Sequence, residues 1–377
     1  LKVTHIIDSA GYYGAEAFLI NLCACQKALG VDVNVISIGK KNQGKKAIEE
    51  KLESIGVPCI AWRMLPIPDP MESFKLARFL KDYKSDIAHS HGYKGNILLG
   101  MVPKKFRSIP FVTTIHGYTS STPLSKLRLY HYTDRLIHRM IDAVVLVSDG
   151  IRHQVNEKSI QDKIFVIFNG LSSTIPDYAS IKLELFDDEN FKISSVGRLS
   201  EEKNFQLLIS SMPLVIQKIP NAKLAIFGEG HERNKLQALI HDLNLSRNVV
   251  LAGFTSEPER VYRNSDLIVN CSTTEGMPIS LLEAMREGCP FIASDIPANS
   301  RLTEDSNLRN QLFFLNKESL AHKIIEIYEM EPKDLKLLKE KMKESFLERY
   351  TIEKSTYSYI KLYESLIEKR KSEACIL

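Results

Sequence analysis

The feature that most constrains this chain is an alternation kept up almost from end to end. Short runs rich in Val, Ile and Phe are each followed by a turn and often by a stretch with apolar residues at helical spacing. Neighbouring parallel strands cannot be joined by a tight turn, so a crossover, usually a helix, must carry the chain back between them. The reading is therefore an α/β protein whose parallel sheets are covered by helices on both faces. The clearest strand runs are Val3–Ile7, Val33–Ile38, Ile87–His89, Phe111–Ile115, Ala143–Val147, Ile164–Phe168, Lys192–Val196, Lys223–Phe227, Val249–Leu251, Leu267–Asn270 and Phe291–Ala293. Glu16–Leu29, Glu201–Lys218 and Ile279–Glu287 read as helices, with Gly or Pro at most exits.

A chain of 377 residues exceeds one ordinary core, so two domains are expected. Between Ser172 and Asn190 the periodicity lapses, and after Asp187-Asp188-Glu189 a strand–turn–helix series begins afresh. The expected domains are 1–180 and 190–350. The last segment, from Leu335 to Lys371, is helical in pattern and carries Tyr350, Tyr357, Tyr359 and Tyr363, which suit burial against a sheet. Its final part, 351–377, is expected to pack back towards the first domain. No apolar run is long enough to span a bilayer, and Leu1–Ile7 reads as a strand rather than a signal peptide, so the expectation is a cytoplasmic protein. Six scattered cysteines without C-x-x-C spacing fit reduced thiols rather than zinc or redox chemistry.

Three places carry chemistry. Ser195-Val196-Gly197-Arg198-Leu199-Ser200-Glu201-Glu202-Lys203 follows a strand and leads into a helix. Unpaired N–H groups at such a helix start, with two cations beside them, suit a diphosphate; a solvated cap would use the same residues. Thr274-Glu275-Gly276-Met277-Pro278 through Glu283 is again strand, turn and helix, with two carboxylates eight residues apart. Carboxylates at a strand's carboxyl end accept hydrogen bonds from sugar and ribose hydroxyls. The apolar neighbours of Glu283 favour a buried or cleft-facing carboxylate over a solvated one. In the first half, Gly11 and Gly14 open a helix after strand 1, while His89 and His116 close strands. His89 reads as structural, and His116, just before Gly117, as better placed to meet a substrate.

Taken together, the residues resemble the family-4 retaining glycosyltransferases over nearly the whole chain. The resemblance rests on Gly11–Glu16, His116-Gly117, Val147-Ser148, Asn169-Gly170, Gly197-Arg198-Leu199 with Glu202-Lys203, Gly228-Glu229-Gly230, Gly253-Phe254 and the Glu275–Glu283 pair. It implies the GT-B architecture, two Rossmann-like domains facing across a cleft, the first binding the acceptor and the second the donor. It further implies that Arg198 and Lys203 bind the donor diphosphate, that Glu275 contacts the transferred sugar and that Glu283 binds the ribose. His116 is carried as a catalytic candidate, and Gly14, Gly197, Gly276, Met277 and Pro278 as donor-binding. Three departures stand out: Tyr13 before Gly14 where paired glycines are usual, Met277 in place of a commoner Phe, and no glycine between Asn299 and Gln311.

The resulting expectation is a retaining enzyme that moves a hexose-type sugar, a UDP-sugar being favoured, to a glycan or lipid-linked acceptor in surface polysaccharide synthesis. No cofactor or metal is expected, since no Asp-x-Asp pair is present to hold a divalent ion on a diphosphate. Rival readings are a nucleotide-sugar epimerase or inverting transferase of the same shape, and a non-catalytic two-domain sugar-binding protein. Acceptor specificity is expected in loops such as Tyr118–Arg128. Residues 1–180 hold 23 Lys and Arg against 16 Asp and Glu. That excess does not argue for nucleic acid. Its groups at Lys104-Lys105-Phe106-Arg107 and at Lys40, Lys41, Lys45 and Lys46 suggest instead contact with an anionic membrane at its inner face.

Overall fold

Seven runs of the first half form one wholly parallel sheet: β1 (Lys2–Ile7), β2 (Asp32–Lys40), β3 (Cys59–Met64), β4 (Ile87–Ser90), β5 (Phe111–Ile115), β6 (Ala143–Leu146) and β7 (Ile164–Val166). Their order is β3-β2-β1-β4-β5-β6-β7. Helices α1 (Gly14–Ala28), α2 (Ala47–Ser54), α3 (Pro70–Asp82), α4 (Tyr93–Gly100) and α5 (Lys126–Ile137) lie in the connections. The computed structural model describes residues 1–9, 11, 14–65, 69–117, 126–155, 157–173, 185–306 and 308–376.

The second half repeats the plan. Strands β8 (Phe191–Val196), β9 (Ala222–Phe227), β10 (Val249–Gly253), β11 (Leu267–Asn270), β12 (Phe291–Ser294) and β13 (Leu312–Phe313) form a parallel sheet in the order β10-β9-β8-β11-β12-β13. Its helices are α6 (Phe205–Lys218), α7 (Arg233–Asp242), α8 (Pro258–Arg263), α9 (Ile279–Glu287), α10 (Pro297–Asp305), α11 (Lys317–Tyr328) and α12 (Pro332–Arg349); α13 (Ile352–Ile376) follows. Each sheet reverses its winding once, between β1 and β4 and between β8 and β11. Such reversals leave room for ligands at the carboxyl ends of the strands.

Two compact units result, one of residues 1–172 with 351–377 and one of residues 173–350. The helical pattern from Leu335 onward proves to be two helices, α12 in the second unit and α13 in the first. The break falls at Tyr350-Thr351, where Thr351 bridges to Leu171 and the Ile352 amide donates to the Leu171 carbonyl at 2.8 Å. Gly170 makes this approach possible, because a Cβ there would lie 2.3 Å from the Thr351 carbonyl oxygen. Within the first unit α13 packs on α1 and buries Tyr359 and Tyr363 beside Phe18, Leu22 and Val35; Tyr350 is buried in the second unit, and Tyr357 is exposed. The second core gathers Ile193, Leu208, Met212, Leu224 and Ile324.

Two strands escape a reading by apolar runs. β3 is an edge strand in which only Met64 is buried; its apolar run is interrupted by Arg63, which Glu49 holds at 2.8 Å. β13 has only two residues.

Candidate functional site

In the second unit the loops after β8 and β9 brace each other. The Gly197 amide donates to the Phe227 carbonyl at 2.9 Å, and the Leu199 amide to the Glu229 carbonyl at 3.0 Å. Gly228 has φ +151°, and a Cβ there would come within 1.8 Å of the Gly197 carbonyl oxygen, so only glycine fits. This fixes Arg198 on a rigid loop, where its Nη2 donates to Glu202 Oε1 at 2.5 Å. The chain does not pass directly into a helix as the sequence suggests. A 3₁₀ turn, Glu201–Lys203, and a left-handed Asn204 (φ 51°) precede α6. The unpaired amides of α6 therefore begin two residues beyond Lys203.

Lys203 reaches across the winding reversal to Glu275, with Nζ donating to Oε1 at 2.6 Å. Ser272 Oγ (2.6 Å) and Asn270 Nδ2 (3.2 Å) donate to the same oxygen. Three donors on Oε1 hold a largely buried carboxylate without engaging Oε2, which keeps its capacity to accept from another donor. Asn270 ends β11, and its Oδ1 accepts from the Ser272 amide at 3.2 Å, which shapes the loop that presents Glu275. Gly276 follows in that loop, and Met277 is buried. Pro278 precedes α9 and has no side-chain donor or acceptor to cap it, so the first α9 amides stay unpaired by a cap.

Glu283 lies in α9 and accepts a hydrogen bond from Tyr262 Oη at 2.5 Å. Part of the residue reaches solvent, but its carboxyl group is desolvated. That burial outweighs the Tyr262 hydrogen bond and the nearby Arg286, and pushes its pKa up to about 7. The structure thus brings Arg198, Lys203, Glu275 and Glu283 onto neighbouring loops and one helix of a single unit. Asn270, Ser272 and Tyr262 were not singled out from sequence. Asn270 has a readable signal as the polar end of an apolar run, whereas Tyr262 has none.

In the first unit Gly14 opens α1, while Tyr12 and Tyr13, part of the glycine-loop departure, fall outside the described residues. So do 118–125 of the expected acceptor loop and the side chains of 126–128. His116, partly buried, contacts His91 (Nε2 to Nδ1, 3.3 Å), and burial lowers its pKa to about 4. His89 is enclosed, with Nδ1 2.6 Å from Tyr363 Oη and Nε2 2.7 Å from Thr114 Oγ1, a structural role. His5, His89 and His91 bring ligating nitrogens within 4.8 Å of one another, but each of their ring nitrogens already has a protein partner.

The two basic groups are smaller than the sequence suggests. Arg107 is buried and donates to the Met140 carbonyl, and Lys104 pairs with Asp142 at 2.6 Å. Lys46 is buried against Asp8 at 3.0 Å, and Lys45 pairs with Glu53 at 2.6 Å. Lys40, Lys41 and Lys105 stay exposed. A buried cation needs a local counter-charge, so Arg107 and Lys46 supply their charge to the interior rather than to a surface patch, while Lys45 and Lys104 are exposed but paired.

Comparison with known proteins agrees with this geometry. Residues 12–174 match the family described as Glycosyltransferase Family 4, and residues 179–345 match Glycosyl transferases group 1. Anabaena HepE, solved in complex with UDP, has the same fold with TM-score 0.81 at 19% identity, over 97% of this chain and 100% of that one. The chain belongs to the family-4 GT-B glycosyltransferases. This family-4 chain is 27% identical over 245 residues to an uncharacterized glycosyltransferase of Methanocaldococcus jannaschii, over 61% of this chain and 60% of that protein. It is also 27% identical over 272 residues to the Escherichia coli UDP-Gal:alpha-D-GlcNAc-diphosphoundecaprenol alpha-1,3-galactosyltransferase, over 68% of this chain and 70% of that one. As the GT-B architecture requires, each unit of this glycosyltransferase carries its own parallel sheet. Among the described residues, no helix is long and apolar enough to cross a membrane.

Proposed function

We propose that this chain is a retaining, metal-independent glycosyltransferase that moves a hexose from a nucleoside diphosphate sugar to a glycan or lipid-linked acceptor in surface polysaccharide synthesis. The observation that carries the reading is the Lys203–Glu275 pair at the winding reversal of the second sheet, with Arg198 on the adjoining loop. In this reading Arg198, Lys203 and the first amides of α9 offset the charge of the departing diphosphate, the role a metal ion plays where an Asp-x-Asp pair holds one. Glu275 Oε2 accepts from a hydroxyl of the transferred sugar, and Glu283 from the ribose. His116, in the first unit, accepts from a sugar hydroxyl. The acceptor oxygen attacks the anomeric carbon on the face that the diphosphate leaves. Its proton passes to the departing phosphate oxygen, so configuration is retained without a covalent sugar–enzyme intermediate.

A uridine donor is supported by the UDP in HepE and by the UDP-Gal in the name of the Escherichia coli relative, whose named acceptor is carried on a diphospholipid. A lipid-borne acceptor asks for a membrane-facing surface. On α5, Leu129, Tyr132 and Leu136 are exposed at helical spacing, and Phe74 and Phe106 meet edge-on at 6.5 Å, both exposed. Lys105, Arg135 and Arg139 are exposed nearby in sequence, so the proposed contact is with an anionic bilayer.

The test combines binding and product. UDP and UDP-sugars should raise the melting temperature of the full chain, and the sugar transferred should keep its anomeric configuration by NMR. Inverted product would make the enzyme an inverting transferase, and isomerised nucleotide sugar without acceptor an epimerase. Tight donor binding with no turnover on any acceptor would make it a sugar-binding protein.

A further inference from the structure

Four histidines converge at the carboxyl end of the first sheet, and three of them form a continuous hydrogen-bonded line. β1 and β4 are adjacent and place His5 opposite His89. His91 follows β4, and His116 follows β5. His5 Nε2 lies 2.8 Å from Gln26 Oε1 on α1, His5 Nδ1 lies 2.9 Å from His91 Nε2, and His91 Nδ1 lies 3.3 Å from His116 Nε2. The line ends at His116 Nδ1, a buried nitrogen with no hydrogen-bond partner among the described residues.

We propose that Gln26, His5 and His91 are positioning residues that hold His116 as its neutral Nε2–H tautomer, leaving Nδ1 as a bare acceptor for a sugar hydroxyl. This rests on the reading of His116 as substrate-facing. A neutral imidazole has one donor and one acceptor nitrogen, so the polarity of each link dictates the next. The amide oxygen of Gln26 can only accept. His5 must then donate through Nε2 and accept at Nδ1, His91 must donate through Nε2 to it, and His116 must donate through Nε2 to His91. All three are therefore Nε2–H. Burial keeps the line neutral, since it lowers the pKa of His5 and His116 to about 4 and that of His91 well below its ordinary value. His89, held by Tyr363 and Thr114, lies tilted against His91 with centroids 4.1 Å apart. Reversing a single link would set two lone pairs or two protons against each other, so the polarity is set at Gln26, three hydrogen bonds from the unpartnered nitrogen.

The experiment is long-range ¹H–¹⁵N NMR of ring-labelled histidine in the intact protein near pH 7, without substrate. His5, His91 and His116 should each show a pyridine-type Nδ1 and a pyrrole-type Nε2. Gln26→Leu, which removes the terminal acceptor, should leave His116 in mixed tautomers and lower kcat about tenfold, the equivalent of one hydrogen bond, with little change in KM for donor. Gln26→Glu, which keeps an acceptor there, should preserve the wild-type tautomer of His116. An Nδ1–H or doubly protonated His116 in the wild type overturns the proposal even if the variants fail to fold. So does an unchanged tautomer in folded Gln26→Leu. Full transfer by His116→Phe would remove the positioning role, while the donor-side reading would still be judged by binding and product.

Discussion

Replacing Glu283 with Gln should make the protein more stable and a poorer enzyme, and the gain in stability should appear only as the pH rises. The unfolded chain loses the Glu283 proton near the ordinary value of 4.5, whereas burial holds the native group until about pH 7. Between those values the native state binds more protons, so the favourable contribution is complete below about 4.5 and is lost as the pH climbs through about 7. The separation corresponds to a ceiling of about 3 kcal/mol. Gln keeps the shape of the side chain and an oxygen for the Tyr262 hydroxyl, but has no charge to desolvate. Glu283→Gln should therefore match wild type at pH 4 and exceed it at pH 8 by up to about 3 kcal/mol, roughly 6–12 °C in melting temperature for a unit of this size. Donor affinity should fall in the same variant, because the ribose loses an anionic acceptor. The check is denaturant or thermal unfolding of both proteins from pH 4 to pH 8, followed through the transition of the second unit. A stability gap that does not widen with pH would refute the argument, since only a raised native pKa makes the difference grow.

Four other outcomes follow from the same geometry. Arg198→Ala and Lys203→Ala should each lower turnover about a hundredfold or more while the protein stays folded, as seen for removed electrostatic stabilisers; wild-type turnover in single-turnover assays would rule out the diphosphate role. Glu275→Gln should lower kcat with little effect on donor KM, because its proposed contact is with the reacting sugar. Gly170→Ala should cost about 1–3 kcal/mol, as overpacking does, because the Thr351 backbone at the start of α13 must move, and a melting curve like wild type would contradict that. Vesicle sedimentation should show salt-sensitive binding to anionic lipid that falls when Leu129, Tyr132 and Leu136 become Ser; equal recovery on neutral and anionic vesicles would end the membrane reading.

How much of this was legible depended on the range of the interaction involved. Parallel strands, buried on both faces, read as continuous apolar runs, so Ala143–Val147 and Leu267–Asn270 declare themselves locally. The half-buried edge strand Cys59–Met64, whose run Arg63 interrupts, is less plain. Gly228 is legible for a related reason, since its φ of +151° is a backbone conformation that favours glycine wherever a chain adopts it. The sequence by itself therefore determined the α/β class, the order of most strands, and the residue types available for diphosphate and hydroxyl binding. Only the tertiary structure decided which of them meet. It set Lys203 on Glu275 across 72 positions, because the winding reversal makes β8 and β11 neighbours. It turned Arg107 and Lys46 inward, which no count of charges reveals. It also joined Gln26, His5, His91 and His116 into one line, drawn from α1, from within β1 and from just after β4 and β5. Those contacts depend on sheet order and strand register, which are settled by packing over the whole unit rather than by any local run of residues.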